Sequence, residues 1–337
     1  MPAEVALGRA VTGGVPADAL AIYGRWWQLE TWLRLLVSLE LRAHYGHDWL
    51  NRISNRAVDR ATRDEINRYM ASPDAEDPLT YLDTGELFAL IDSDDLWQLF
   101  EAGLLPRVRW RGAADMLSAI RRRSAHCRRP HGDDLPRLEQ MLRDLEPGAR
   151  VALGAFAEQH RVWRITGDPV VQAWVGGADS GAAQLIDSAL REHRIEFELR
   201  WSQRPWAAGG STDVLSGRQG FLWHAEWRGR VAFDVRRFWR DRGLDTDDHR
   251  AAIVRVVQKR STDLSVIFAC VDGADRVAPA IGACFSAVLQ AVVQSTDATR
   301  AARSAISDLD SRIHTAGPLV SAGLDESIPI FFAHEMV

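Results

Sequence analysis

The sequence predicts a multidomain chain, with an all-α helical bundle followed by a mixed α/β domain. Three observations predict it. Before residue 148, apolar residues recur at three- and four-residue steps, and no stretch alternates at period two. From Ile195 onward alternation appears, with Ile195, Phe197, Leu199 and Trp201 set between Glu196, Glu198 and Arg200. Between the two textures, Pro147-Gly148 reads as a stop. The 337 residues hold two domains of ordinary size. The expected division is a leader over 1–16, a helical domain over 17–148 and an α/β domain over 149–337.

The elements follow in order. Residues 1–16 hold Gly8, Gly13, Gly14 and Pro16 and show no strong period. Ala17 to Tyr45 reads as one long helix, with Leu29, Leu33, Leu36 and Val37 forming a stripe that Trp26, Trp32 and Leu39 widen. Glu30 and Arg34 stand one turn apart on it, and Gly46 ends it. Asn55 to Met70 is a second, more polar helix, and Ser72 to Pro78 is a turn-rich break. Asp83-Thr84-Gly85-Glu86 reads as a capping box opening a helix through Leu87, Leu90 and Ile91. A short helix surrounds Leu96, Trp97 and Phe100. Arg109 to Arg122 is helical, with Ala113, Met116, Leu117 and Ile120 inward. After a break at Pro130-His131-Gly132, Leu135 to Leu145 closes the helical domain.

In the second part, Gly220 to Trp227 and Arg230 to Val235 read as a hairpin around Arg228-Gly229. Leu264 to Val271 is an apolar run followed by Asp272-Gly273-Ala274-Asp275 and a helix over Ala280 to Val293. Ile328 to Phe332 reads as a last strand, and Pro205 to Gly217 as a loop.

Composition excludes several classes. The chain is 46% hydrophobic and 26% charged with a net charge of −5, so it is no polycation, and any nucleic-acid site is a local patch. Lys259 is the lone lysine, and arginine, with its planar phosphate-matching fork, supplies every other basic side chain. Three scattered cysteines, Cys127, Cys270 and Cys284, make neither a disulfide framework nor a zinc site. Neither a metal nor a cofactor is expected. Neither a signal pattern nor a run of ~20 apolar residues is present, so the expectation is a cytoplasmic protein without a membrane partner.

One segment singles itself out, though not by spacing. Arginine, four to six intervening residues and then histidine occurs as Arg42/His47, Arg121/His126, Arg218/His224 and Arg242/His249, about what chance supplies. Context separates Arg121/His126. It ends an amphipathic helix, meets the basic, proline-terminated Arg128-Arg129-Pro130, and precedes another amphipathic helix.

This segment, Arg121-Arg122-Arg123-Ser124-Ala125-His126, resembles the helix-ending motif of the HEPN superfamily, nearest its Abi-like, abortive-infection group. Glu30-Thr31-Trp32-Leu33-Arg34, Tyr45-Gly46-His47-Asp48-Trp49 and Pro78-Leu79-Thr80-Tyr81-Leu82 are similar to that group too. The resemblance covers residues 17–147. It implies a metal-independent endoribonuclease with Arg121 and His126 catalytic, acting as a homodimer in which two His126 copies meet in one cleft. Where the group most often carries Asn, this chain has Arg122.

The chemistry suits those residue types. Cleavage by the substrate's own 2′-OH needs a proton-managing group and a cation to hold charge on the phosphorane. Histidine suits the first role and arginine the second. The products are a 2′,3′-cyclic phosphate and a 5′-OH, and DNA is no substrate. Arginines from Arg107 to Arg123, with Arg128 and Arg129, are expected to line a positive channel, in which Arg122, Arg123, Arg128 and Arg129 bind RNA. Glu30 or Glu40 is expected to pair with Arg121 and orient it.

Other features read as structural first. These are His131 beside Asp133-Asp134, His44 and His47 at i,i+3, His224-Ala225-Glu226 on one strand face, and Asp272-Gly273-Ala274-Asp275 after a strand. Three readings stay open. One is a growth-arrest or antiphage RNA-cleaving toxin, with a neutralising or sensing partner acting through the second domain. Another is a non-catalytic, RNA-binding dimer. The last is a hydrolase centred on His224, Glu226 and Asp272.

Overall fold

A computed structural model describes residues 3–67, 77–177, 180–207, 209, 212–293, 310–321 and 330–331. Its helices are α1 (Ala3–Thr12), α2 (Ala17–Tyr45), α3 (Asn55–Glu65), α4 (Thr84–Ile91), α5 (Trp97–Phe100), α6 (Arg107–Ala125), α7 (Asp134–Ala157), α8 (Pro169–Trp174), α9 (Ser180–His193), α10 (Val235–Trp239), α11 (His249–Ala252) and α12 (Ala274–Gln290). The strands are β1 (His160–Arg161), β2 (Glu196–Gln203), β3 (Phe221–Arg228), β4 (Ala232–Phe233), β5 (Ile253–Val257), β6 (Asp263–Ala269), β7 (Val292–Val293) and β8 (Ile313–His314). The N-terminal region is helical and the C-terminal part holds a mixed α/β sheet. No described helix is long and apolar enough to cross a membrane.

Two compact units form, one of residues 1–37, 82–151 and 326–337, the other of 38–81 and 152–325. Their boundaries differ from a single cut at 148. The reason lies in Glu40 and Arg42. Glu40 accepts from Arg204 and from Trp206 Nε1 (2.7 Å), and Arg42 donates to Ile253 O at 2.9 Å. Both side chains are buried, so these partners draw residues 38–81 into the second unit.

In the first unit, the predicted stripe of α2 is buried through Leu29, Leu33, Leu36 and Val37. Residues 3–12, expected as a leader without period, are helical. The capping box stands: Asp83 Oδ1 accepts from Glu86 N at 2.9 Å, and Glu86 Oε2 from Asp83 N at 3.0 Å. Trp110, Leu117 and Ile120 bury one face of α6. Helix α7 overruns its expected stop, because Pro147 lies inside it. The buried stripe Leu138, Met141, Leu142, Leu145 and Ala149 passes straight through that point, and burial outweighs the roughly 3 kcal/mol a proline costs a helix. Gly148 is a close-approach glycine, since a Cβ there would stand 2.7 Å from the Gly103 backbone.

In the second unit the sheet runs β1-β2-β3-β6-β5-β8, antiparallel throughout except for the parallel β5–β8 pair. β3 is central and buried from Phe221 to Trp227. Helices α8, α9 and α12 contribute Val171, Trp174, Ala189, Ile281 and Phe285 to the same core as Leu199, Trp227 and Phe268 of the sheet. The expected hairpin around Arg228-Gly229 does not form. Ala232 and Phe233 pair with Val293 and Val292 instead, and β3 takes β2 and β6 as neighbours. Strand β5 carries no alternation because every residue in it is buried. Of the expected strand over Ile328 to Phe332, only 330–331 are described, as a turn; the rest, like Met70 and Ser72 to Ala75 earlier, lies outside the described residues.

Candidate functional site

The site is built at the C-terminal end of α6. Arg128 N donates to Arg123 O at 2.9 Å, and Cys127 N to Ser124 O at 3.1 Å, closing the last turn. Cys127 takes a left-handed conformation, φ 51°, where glycine is the usual residue. That turn swings the chain away and leaves His126 exposed at the helix cap.

Arg121 lies one turn back and is half-exposed, its Nε 4.0 Å from Glu30 Oε1. Glu30 is itself fixed, because Thr84 Oγ1 donates to Oε1 at 2.5 Å and Arg34 to Oε2 at 3.2 Å. A carboxylate held by two donors is a stiff counter-charge for Arg121. Thr84 belongs to the capping box that opens α4, so local helix chemistry places the group that fixes Glu30. Glu40, the other partner considered for Arg121, is buried against Arg204 and Trp206.

The arginines divide sharply. Arg123 is not available to a substrate, because it forms a two-pronged ion pair with buried Asp134, with Nε to Oδ2 at 2.8 Å. His131 N adds a bond to Asp134 at 2.9 Å, which gives that loop a structural role. Burial opposes the charge on Asp134, but these hydrogen bonds outweigh it and hold its carboxyl below the usual range. Arg107 and Arg111 both donate to Asp92. The expected channel of arginines from Arg107 to Arg123 therefore narrows to Arg109, Arg121 and Arg122. Arg122 is exposed, and among the described residues its guanidinium has no hydrogen-bond or ion-pair partner.

Arg128 and Arg129 are also exposed, form no ion pair among the described residues, and line an open groove of about 640 Å³ beside the helix end. Gly14, Pro16, Leu20 and Tyr23 make its other wall, and Ile120 lies at its floor. The groove is apolar on one side and cationic on the other, which suits a nucleotide with its base and phosphate.

The second-unit candidates do not converge. His224 is wholly buried: Gln159 Nε2 donates to its Nδ1 at 3.0 Å, and Nε2 donates to Ser202 Oγ at 2.7 Å. Burial, with Lys259, Arg204 and Arg200 adding to it, pushes its pKa down to about 3. Glu226 accepts from Arg228 at 2.5 Å and faces Arg200. Asp272 accepts from His47 N at 2.8 Å and His47 Nδ1 at 3.1 Å. It thereby ties the turn after α2 and does not complete a His224 pocket. His47 is engaged there, and His44 lies against Tyr45 and Trp206.

Sequence reasoning missed Thr84, Ser202 and Gln159. It also missed a run of four arginines, Arg236, Arg237, Arg240 and Arg242, although their density within seven residues was visible.

No protein-family model, no curated protein and no solved structure matches the chain.

Proposed function

We propose that the chain is a metal-independent endoribonuclease of the HEPN type, with Arg121 and His126 as its catalytic pair. One observation carries the reading: an exposed histidine at a helix cap, one turn from an arginine whose counter-ion, Glu30, is independently fixed. In this reading the substrate's 2′-oxygen attacks the adjacent phosphorus and the P–O5′ bond breaks. His126 manages the proton that leaves the 2′-OH or reaches the 5′-oxygen. Arg121 holds the developing charge on the phosphorane, oriented by Glu30. Arg122, Arg128 and Arg129 bind flanking phosphates. A homodimer joins two such sites, and the second unit senses a trigger or binds a neutralising partner in a growth-arrest or antiphage response within the cytoplasm.

A second reading, a non-catalytic RNA-binding dimer, is favoured by Arg122 at the position of the usual Asn. Purified protein and His126→Ala, incubated with RNA, separate the two. The endoribonuclease generates 2′,3′-cyclic phosphate and 5′-OH ends, and the variant loses about 100-fold or more in rate. Equal cleavage by both proteins sinks the nuclease. Binding without cleavage by either supports the second reading.

A further inference from the structure

The second unit carries an open concavity of about 600 Å³ lined by Asp234, Arg236, Arg237, Arg240, Asp241, Arg242 and Gln290. Four arginines and two aspartates line it, in a chain of net charge −5.

Both carboxylates are turned to the backbone. Asp234 Oδ1 accepts from Arg236 N at 3.0 Å and Arg237 N at 3.2 Å, and Asp241 Oδ1 accepts from Gly243 N at 2.8 Å. Arg237, Arg240 and Arg242 are exposed and make no ion pair among the described residues. Nearby Arg250 shows the contrast, since it pairs with Asp245 at 2.9 Å.

Local folding produces this imbalance. Phe238 and Trp239 of α10 are buried, whereas Arg237 just before them and Arg240 and Arg242 after them are exposed. Among the described residues no aromatic or aliphatic side chain lines the concavity, so they offer no seat for a base. An exposed set of fork-shaped cations without an apolar wall matches a phosphodiester backbone read independently of sequence.

We infer that the concavity lined by the exposed Arg237, Arg240 and Arg242 is a second RNA-docking surface, gripping the backbone of a single strand. The choice of RNA rests on the proposed nuclease reading. An acidic protein segment is the competing occupant.

The test is binding, measured with the cleavage-deficient His126→Ala chain. A fluorescein-labelled uridine oligonucleotide of about 20 nucleotides is titrated by anisotropy between about 50 and 200 mM salt. Adding R237Q/R240Q/R242Q removes three phosphate contacts, so the slope of log K against log salt falls by about 2. Affinity at the lower salt drops by more than about ten-fold. The control R56Q/R63Q, on exposed α3, leaves the slope unchanged. An unchanged slope in the triple variant, or an equal loss per arginine in the control, overturns the inference. So does a poly-glutamate peptide that binds as tightly per charge as the RNA. Failure here leaves any cleavage by the wild-type chain intact. Failure of cleavage leaves this binding measurement readable.

Discussion

His126 and His224 are both histidines singled out by the sequence, and the molecule treats them oppositely. His126 sits at the exposed cap of α6, and His224 lies wholly buried in the centre of the sheet between Gln159 and Ser202. His224 has the more complete hydrogen-bond set, in a serine–histidine arrangement that on paper looks catalytic. It is sealed from any substrate and held neutral by burial. The comparison teaches that access and the number of polar partners are set separately, the first by depth in the fold and the second by what packs alongside. The arginines repeat the lesson. Arg123 and Arg204 are consumed by Asp134 and Glu40, whereas Arg122, Arg128 and Arg129 remain open.

The largest expected effect is on the buried side. Folded His224 titrates at about 3, and buried His314 also at about 3, against about 6.5 unfolded. Below pH 6.5 the unfolded chain takes up protons that the folded chain refuses. Stability therefore falls as pH falls, by about 1.4 kcal/mol per pH unit for each histidine, and the loss levels off near pH 3. Denaturant unfolding at stepped pH measures the slope. His224→Gln removes one histidine's share, and an unaltered slope breaks the contrast.

Glu40→Ala comes next, stranding buried Arg204 and costing about 3–5 kcal/mol in the same unfolding assay. His126→Ala, by contrast, alters stability by less than about 0.5 kcal/mol while cleavage falls by about 100-fold or more. A matching stability loss would place His126 in the structure instead of the chemistry.

Asp134→Asn loosens the loop after α6 by about 1–3 kcal/mol at neutral pH. The folded-state pKa of Asp134 is depressed, so its stabilisation is complete above about pH 4 and is lost as pH falls through the lower folded value. The gap between wild type and variant therefore closes in strong acid. A gap that persists there would show that the Arg123 pair was not its source.

The smallest effect is expected at Arg122→Asn, which changes stability by less than about 0.5 kcal/mol because that guanidinium has no partner among the described residues. A change of more than about ten-fold in RNA cleavage, read on the same substrate, would bring Arg122 into the machinery.

Sequence alone determined the elements whose signals are local. Helix α2 spans Ala17 to Tyr45 as its stripe and Gly46 require, and the Asp83/Glu86 box opens α4. The end of α6 near Arg121 and the strand from Glu196 were legible for the same reason. Tertiary structure decided the rest. Strand β5 is buried throughout and so lacks the alternation that marks a half-exposed strand. Pro147 stops no helix, because burial on both sides of it outweighs a lost hydrogen bond. Which arginine is spent and which is free was invisible in sequence, since Arg204 meets Glu40 across 164 residues and Thr84 meets Glu30 across 54. Periodicity and capping act within a few residues and can be read from the chain. Charge pairing and burial depend on what the fold brings near, and they left His126 exposed and His224 buried.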